Sequence, residues 1–268
     1  MIRYAFIGAG RLGSAIIEAL VKKGTCLPNE IGCTSLEDGT APSVSDQLHV
    51  RFFESTAELL DESDTVVLAI KPQQLASLDP SVAQKTHGNL AISVLAGTPL
   101  NRLGKVFPNA RNIVRTMPNT PARIGAGITA FCARNTLESG DRRQVDDLLS
   151  AMGRSVPVSE NEMDAVTAVS GSGPAYLFEF VAALRSAGCE AGLDRDVAYR
   201  LALETVLGSA RLLARLEEDP ETLRDEVTSP NGTTQAALEQ LERDGFRNTI
   251  EKAVLAAKKR SEELSKAS

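Results

Sequence analysis

Tyr4-Ala5-Phe6-Ile7-Gly8-Ala9-Gly10-Arg11-Leu12-Gly13 runs from a short apolar, aromatic stretch into a glycine-rich turn. Leu12, Ile16, Ile17, Leu20 and Val21 then recur at helical spacing, and Gly24 offers a helix stop. The segment is therefore strand, turn, helix, with G-x-G-x-x-G at the turn. Alone that pattern is weak; between a buried strand and an amphipathic helix it is specific for dinucleotide binding. Gly8 permits the tight turn, Gly10 lets backbone approach a pyrophosphate, and Gly13 lets helix and strand pack closely. The helix start then presents free N–H groups and a positive dipole end to phosphate.

Outward from this unit the alternation continues. Ile31 to Thr34, Val50 to Phe53, Thr65 to Ile70, Leu90 to Leu95, Asn112 to Arg115 and Ile128 to Cys132 read as strands. Ser55-Thr56-Ala57-Glu58 has the form of a capping box. Continuous apolar strands alternating with helices predict a parallel sheet covered on both faces. Beyond Asn161 the texture is helical only. Leu177, Phe180, Val181, Leu184 and Ala187 form one stripe; Phe246, Ile250, Val254, Ala257, Ser261 and Leu264 form another. Asp219-Pro220 reads as an N-cap with proline at the first helical position. The expected fold is thus α/β: a Rossmann-type domain over residues 1–160 and an all-helical domain over 161–268. Phe178, Ala182 and Cys189 lie off the first stripe, so that helix is apolar nearly all round. Either it is central to its own bundle, or a partner subunit covers it.

Composition excludes several classes. The formal net charge of -6 opposes a nucleic-acid partner and an anionic membrane surface. The longest strongly apolar run, Val66 to Ile70, is too short to span a bilayer, and Met1-Ile2-Arg3 leads straight into a strand without the form of a signal peptide. Cys26, Cys33, Cys132 and Cys189 are scattered, and with only two histidines no metal site is expected. A reduced, cytoplasmic setting fits.

The second strand ends near Thr34-Ser35, where an NAD enzyme commonly carries an acid for the ribose hydroxyls. That position is vacant and no Arg replaces it, while Glu37 and Asp38 follow; the balance leans to NADPH, with NADH as the alternative. Lys71-Pro72 follows the strand ending at Ile70, so Lys71 borders the cofactor or is a solvated loop lysine. Ser170-Gly171-Ser172-Gly173-Pro174 and Ser229-Pro230-Asn231-Gly232-Thr233-Thr234 read as polar loops, each leading into a helix. Such starts can hold a carboxylate or simply cap the helix. Neither His49 nor His87 falls in a loop expected to face the cofactor. Reducing a ketone yields an alkoxide of proton affinity near ~16, which calls for a side-chain acid; reducing an imine yields an amine near ~10. The sparse acid–base equipment tilts toward C=N as the reduced bond, with Tyr176 and Lys71 as the residues that could reverse the argument.

These segments, with Ala69-Ile70-Lys71-Pro72, Met117-Pro118-Asn119-Thr120-Pro121, Asp164 to Tyr176 and Asp225 to Thr234, resemble pyrroline-5-carboxylate reductases in order and spacing along essentially the whole chain. The resemblance implies hydride transfer from NAD(P)H to the small-molecule imine 1-pyrroline-5-carboxylate, giving L-proline, the last step of proline biosynthesis. It implies that Gly8, Gly10, Arg11, Leu12 and Gly13 hold the pyrophosphate, with Ala69, Lys71, Pro72 and Asn119 lining the cofactor cleft; Thr34 and Ser35, read from the end of the second strand, are expected at its ribose end. It implies that Ser229, Asn231, Gly232, Thr233 and Thr234 bind the substrate carboxylate and that Thr234, the catalytic candidate, donates to the ring nitrogen. It also implies a homodimer of interlocked helices with a site built from two subunits, further assembly such as a decamer being left open. The chain departs from the family at Asn231, where Gly is frequent, and near Ser55-Thr56, where Asn is frequent. The competing readings are a hydroxyacid-type dehydrogenase, which typically carries a lysine in a segment where Gly173 to Leu184 has none, and a non-catalytic dinucleotide-binding redox sensor.

Overall fold

A computed structural model describes residues 1–35 and 39–267. Glu37 and Asp38, the acids that follow the second strand, lie outside the described residues. The strands are β1 (Ile2–Ile7), β2 (Ile31–Thr34), β3 (Arg51–Phe52), β4 (Ser63–Leu68), β5 (Leu90–Ser93), β6 (Asn112–Met117), β7 (Gly127–Ala133) and β8 (Gly153–Pro157). Between them run α1 (Arg11–Lys22), α2 (Thr40–Leu48), α3 (Thr56–Asp61), α4 (Val82–Lys85), α5 (Leu100–Val106) and α6 (Ser139–Met152). Then come α7 (Met163–Val166), α8 (Gly173–Glu190), α9 (Arg195–Leu216), α10 (Pro220–Glu226), α11 (Thr233–Arg243) and α12 (Phe246–Ala267).

The eight strands form one sheet in the order β3-β2-β1-β4-β5-β6-β7-β8. Its first six strands have the doubly wound order in which the chain reverses direction between β1 and β4. Tyr4, Phe6 and Val67 point into a core with Ile16, Ile17 and Leu20 of α1 and Val145, Leu148 and Leu149 of α6. Ile7, Val66 and Leu68 point into the opposite core with Leu100 and Leu103 of α5, Phe107 and Met163. Each fully buried Ile, Leu or Phe contributes about 1.5–3 kcal/mol of transfer free energy, so the two faces hold the sheet between two helical layers.

The sheet is not wholly parallel, which corrects the expectation. β7 runs antiparallel to β6, pairing Arg115 with Cys132. A parallel return needs a crossover of a dozen or more residues, and the link over 118–126 carries only the 3₁₀ turn Thr120–Ile124. The longer link through α6 then lets β8 run parallel to β7. Sequence reading missed β8, because Gly153-Arg154-Ser155-Val156-Pro157 is polar and exposed beyond its first residue. A second correction concerns Ser170 to Pro174. Thr167–Gly171 is a turn of π-helix, and α8 begins at Gly173, leaving Ser172 as a bend rather than a loop. Thr167 and Ser170 donate their hydroxyls to the carbonyls four residues back, Met163 O and Val166 O.

The chain divides into two compact units, Met1–Ser172 with the segment from Ala257 onward, and Gly173–Ala256. In the second unit α8 has no buried residue, and Phe178 is 63% exposed. Among the described residues no helix is long and apolar enough to cross a membrane.

Candidate functional site

The first unit carries a cavity of about 550 Å³ lined by Gly8, Gly10, Arg11, Leu12, Thr40, Ala69, Ile70, Lys71 and Gln74. It lies where β1, β2 and β4 end, beside the reversal of strand order. Gly8 N–H donates to Thr34 O at 2.9 Å and Ala69 N–H donates to Ile7 O at 2.9 Å. Three strand ends are thereby tied together under the turn.

The turn demands glycine at two places. Gly8 has φ +101°, and a Cβ there would lie 2.7 Å from Ala69 O. A Cβ on Gly13 would lie 2.5 Å from Gly8 O. Helix α1 therefore sits against the strand ends at a distance that any side chain would forbid, which brings its N-terminus to the cavity. Gly10 is the N-cap of α1 and supplies no side-chain hydrogen bond, and no acid occupies the first turn. The leading N–H groups of α1 and its positive dipole end face an anion without a competing carboxylate. Arg11 and Lys71 add positive charge to the lining. A glycine cradle with an uncapped helix start is the donor set a pyrophosphate requires, so the residues present fit a dinucleotide.

Of the residues expected to hold a cofactor, Gly8, Gly10, Arg11, Leu12, Ala69 and Lys71 come together in this lining. Gly13 acts behind it, through the packing of α1. Thr34 is buried at the end of β2, with its carbonyl on Gly8 N–H; Ser35 follows it. Pro72 opens the 3₁₀ turn Pro72–Ser77, and Lys71 N–H donates to Gln74 Oε1 at 3.0 Å. Asn119 is outside the lining: its Oδ1 accepts from Ile128 N–H at 3.0 Å, bridging the end of β6 to β7. Sequence reasoning missed Thr40 and Gln74 as lining residues. Gly39-Thr40-Ala41-Pro42 could have been read as a helix start; nothing marked Gln74. His49 and His87 are exposed and outside the lining.

In the second unit, Ser229, Pro230 and Asn231 form an exposed turn into α11, whose N-cap is Gly232. Asn231 takes the left-handed conformation at φ 58°. Asn tolerates that region better than other non-glycine residues, which explains how it stands in this turn. Gly232 N–H donates to Ser229 O at 3.0 Å. Thr233 and Thr234 occupy the first two helical positions, and the N-cap receives no side-chain hydrogen bond. Neither threonine hydroxyl is engaged among the described residues, and the N-cap position of α11 belongs to Gly232. An eleven-residue helix thus begins with unpaired N–H groups and hydroxyl side chains at its first two positions, a donor set suited to a carboxylate.

Comparison with known proteins agrees with both halves. A family model described as NADP oxidoreductase coenzyme F420-dependent matches residues 3–97. One described as pyrroline-5-carboxylate reductase dimerisation matches residues 160–264. The pyrroline-5-carboxylate reductase of Synechocystis sp. is 43% identical over 265 residues, covering 99% of each chain. That of Arabidopsis thaliana is 38% identical, covering 98% of this chain and 95% of its own. Among solved structures, a pyrroline-5-carboxylate reductase from Coxiella burnetii superposes with a TM-score of 0.91 at 33% identity, covering 98% of both chains. The Plasmodium falciparum pyrroline carboxylate reductase with NADP bound gives 0.84 at 29% identity, again over 98% of both. With such identity along nearly its whole length, this chain belongs to the pyrroline-5-carboxylate reductase family.

Proposed function

We propose that the protein reduces the C=N bond of 1-pyrroline-5-carboxylate to give L-proline, the closing step of proline biosynthesis, with NADPH as reductant. The full-length similarity to reductases of that name carries the reaction. When bound, the reduced nicotinamide supplies the hydride. The chain's own residues bind and orient. Gly8, Gly10, Gly13 and the start of α1 hold the pyrophosphate, Arg11 and Lys71 offset its charge, and Ala69 completes the cleft, with Pro72 opening the turn behind Lys71 and Asn119 bracing the end of β6 from outside the lining. In the 229–234 segment the N–H groups of Thr233 and Thr234 hold the substrate carboxylate, and Ser229, Asn231 and Gly232 shape the turn that presents them. Thr234 sets its hydroxyl against the ring nitrogen, which is bonded to the carbon that bears the carboxylate; the hydroxyl oxygen accepts from the protonated imine N–H, and its proton is donated to the amine lone pair that hydride transfer creates. Fixing both groups sets a near-attack geometry. The imine enters protonated, so no side chain has to act as a strong acid; this suits a cavity lined by neither histidine.

NADPH over NADH rests on the end of β2, where Thr34 and Ser35 stand in the position an NAD-selecting acid would take. The exposed apolar helices of the second unit support a homodimer through that unit, and buried free thiols at Cys26, Cys33 and Cys132 suit a reducing cytoplasm. Oxidation of reduced cofactor should proceed with 1-pyrroline-5-carboxylate and fail with simple 2-oxo acids. The reverse pattern overturns the reading in favour of a hydroxyacid dehydrogenase. A tenfold advantage in kcat/KM for NADH, about 1.4 kcal/mol, overturns the cofactor preference alone.

A further inference from the structure

The turn before α11 has a support that the family resemblance does not assign. Asn231 N–H donates to Gln235 Oε1 at 2.8 Å, and Gln235 Nε2 donates to Glu239 Oε1 at 2.8 Å. Gln235 is the third residue of α11. A glutamine there commonly reaches back to the N-cap amide; here it reaches one residue further, to the residue held left-handed at φ 58°. The amide's orientation is fixed by its partners. A backbone N–H needs an acceptor and a carboxylate needs a donor, so the oxygen faces the turn and the nitrogen faces Glu239. Glu239 lies one helical turn on and is exposed. The pair forms a strut along one face of α11 that ends on the strained residue.

We propose that Gln235 is a positioning residue that holds Asn231 in its left-handed conformation and thereby sets the carboxylate-binding turn. A left-handed asparagine competes with its own right-handed conformers. An acceptor fixed on its N–H favours the conformer in which that N–H points along the helix. Turning Asn231 the other way would move Gly232, whose N–H closes the turn on Ser229 O, and with it the N–H groups of Thr233 and Thr234. This inference rests on the 229–234 segment being the carboxylate holder, and the test separates the two.

Gln235→Met keeps the length and helix propensity of the side chain and removes the acceptor. The expected result is a five- to twentyfold rise in KM for 1-pyrroline-5-carboxylate, with kcat and the cofactor KM changed less than twofold. Hydrogen exchange should become faster in the peptide carrying residues 229–232. Glu239→Ala should shift KM in the same direction by a smaller factor. Thr234→Ala is measured beside them. If Thr234→Ala impairs the reaction and Gln235→Met leaves KM within twofold, the strut has no positioning role. If neither variant has an effect, the carboxylate assignment of the turn fails and the inference falls with it. A lowered Tm with kcat falling and both KM values rising together would make Gln235 a merely structural residue, which also overturns the proposal.

Discussion

Thr234 sits at the second position of α11 with its hydroxyl unengaged among the described residues. Thr234→Ala should therefore leave the melting temperature unchanged, since no cap is lost. It should lower kcat/KM by roughly 10- to 100-fold, as expected for losing one hydrogen bond to a charged or polarised group, about 1.5–3 kcal/mol. Thr234→Ser should recover most of that. Normal kinetics with a lowered Tm would return Thr234 to a structural role. Gly8→Ala is the counterpart at the cofactor end. At φ +101°, with a backbone oxygen 2.7 Å from the new Cβ, the variant should lose both stability and dinucleotide affinity, read by thermal melts and cofactor titration. Wild-type affinity would show that the turn relaxes without loss. The thiols give a pH signature. Burial pushes Cys33 from 9.0 up to about 11, and burial with the Glu160 charge does the same to Cys132 against the opposing pull of Arg115. The folded chain then keeps protons that the unfolded chain releases between about 9 and 11. The unfolded state binds fewer protons in that window, so stability falls as pH rises through it and is fully present below. Denaturant midpoints at pH 8 and pH 10.5 check this, and the decline should be shallower in Cys33→Ala.

At the scale of elements, local chemistry explains the helix ends better than the strand ends. Ser55 caps α3 by accepting from Ala57 N–H at 3.2 Å, and Asp219 caps α10 by accepting from Glu221 N–H at 2.9 Å, with Pro220 next. Asp219→Ala should cost about 1 kcal/mol of stability and Asp219→Asn much less; equal melting curves for all three proteins would mean that the cap is redundant. Strand limits were less legible. Thr65 to Ile70 shifted to Ser63–Leu68, because Ala69 and Ile70 leave the sheet to line the cavity. β8 carries no apolar pattern, since it is an edge strand held by pairing with β7 rather than by burial. The Ser170–Pro174 segment looked like a loop from its glycines and serines. The hydroxyls of Thr167 and Ser170 are instead spent on carbonyls one turn back, and helix stands on either side of the bend at Ser172.

On the scale of the whole molecule, α8 and α9 carry the strongest demand for a partner. Leu177, Phe178 and Phe180 on α8 and Leu201 and Leu212 on α9 are all at least 45% exposed. Water contact with that much apolar surface is unfavourable by about 25 cal/mol per Å². Sedimentation at micromolar concentration should show no monomer, and Phe178→Glu should produce one without activity. A folded, active monomer would overturn the assembly. The helical texture begins near residue 161, whereas the compact units divide after Ser172 and α12 contributes its last part to the first unit. Periodicity reports where helices start; which body they pack into depends on contacts that periodicity does not carry.

The sequence by itself determined the dinucleotide turn, the α/β-then-helical order and the caps. Each rests on residues within a few positions of one another, whose spacing fixes backbone geometry directly. The tertiary structure decided what distant segments share. Thr40 and Gln74 join Gly8 and Ala69 because the strand order sets β1 between β2 and β4. Arg111 donates to both Asp64 and Asp141 because β4, β6 and α6 converge there. Cys33 and Cys132 gain raised thiol affinities from burial that no local pattern announces. The conformation of Asn231 lies between the two cases: Gln235 is only four residues on, but its amide reaches back only once α11 has formed and the turn has closed on Ser229.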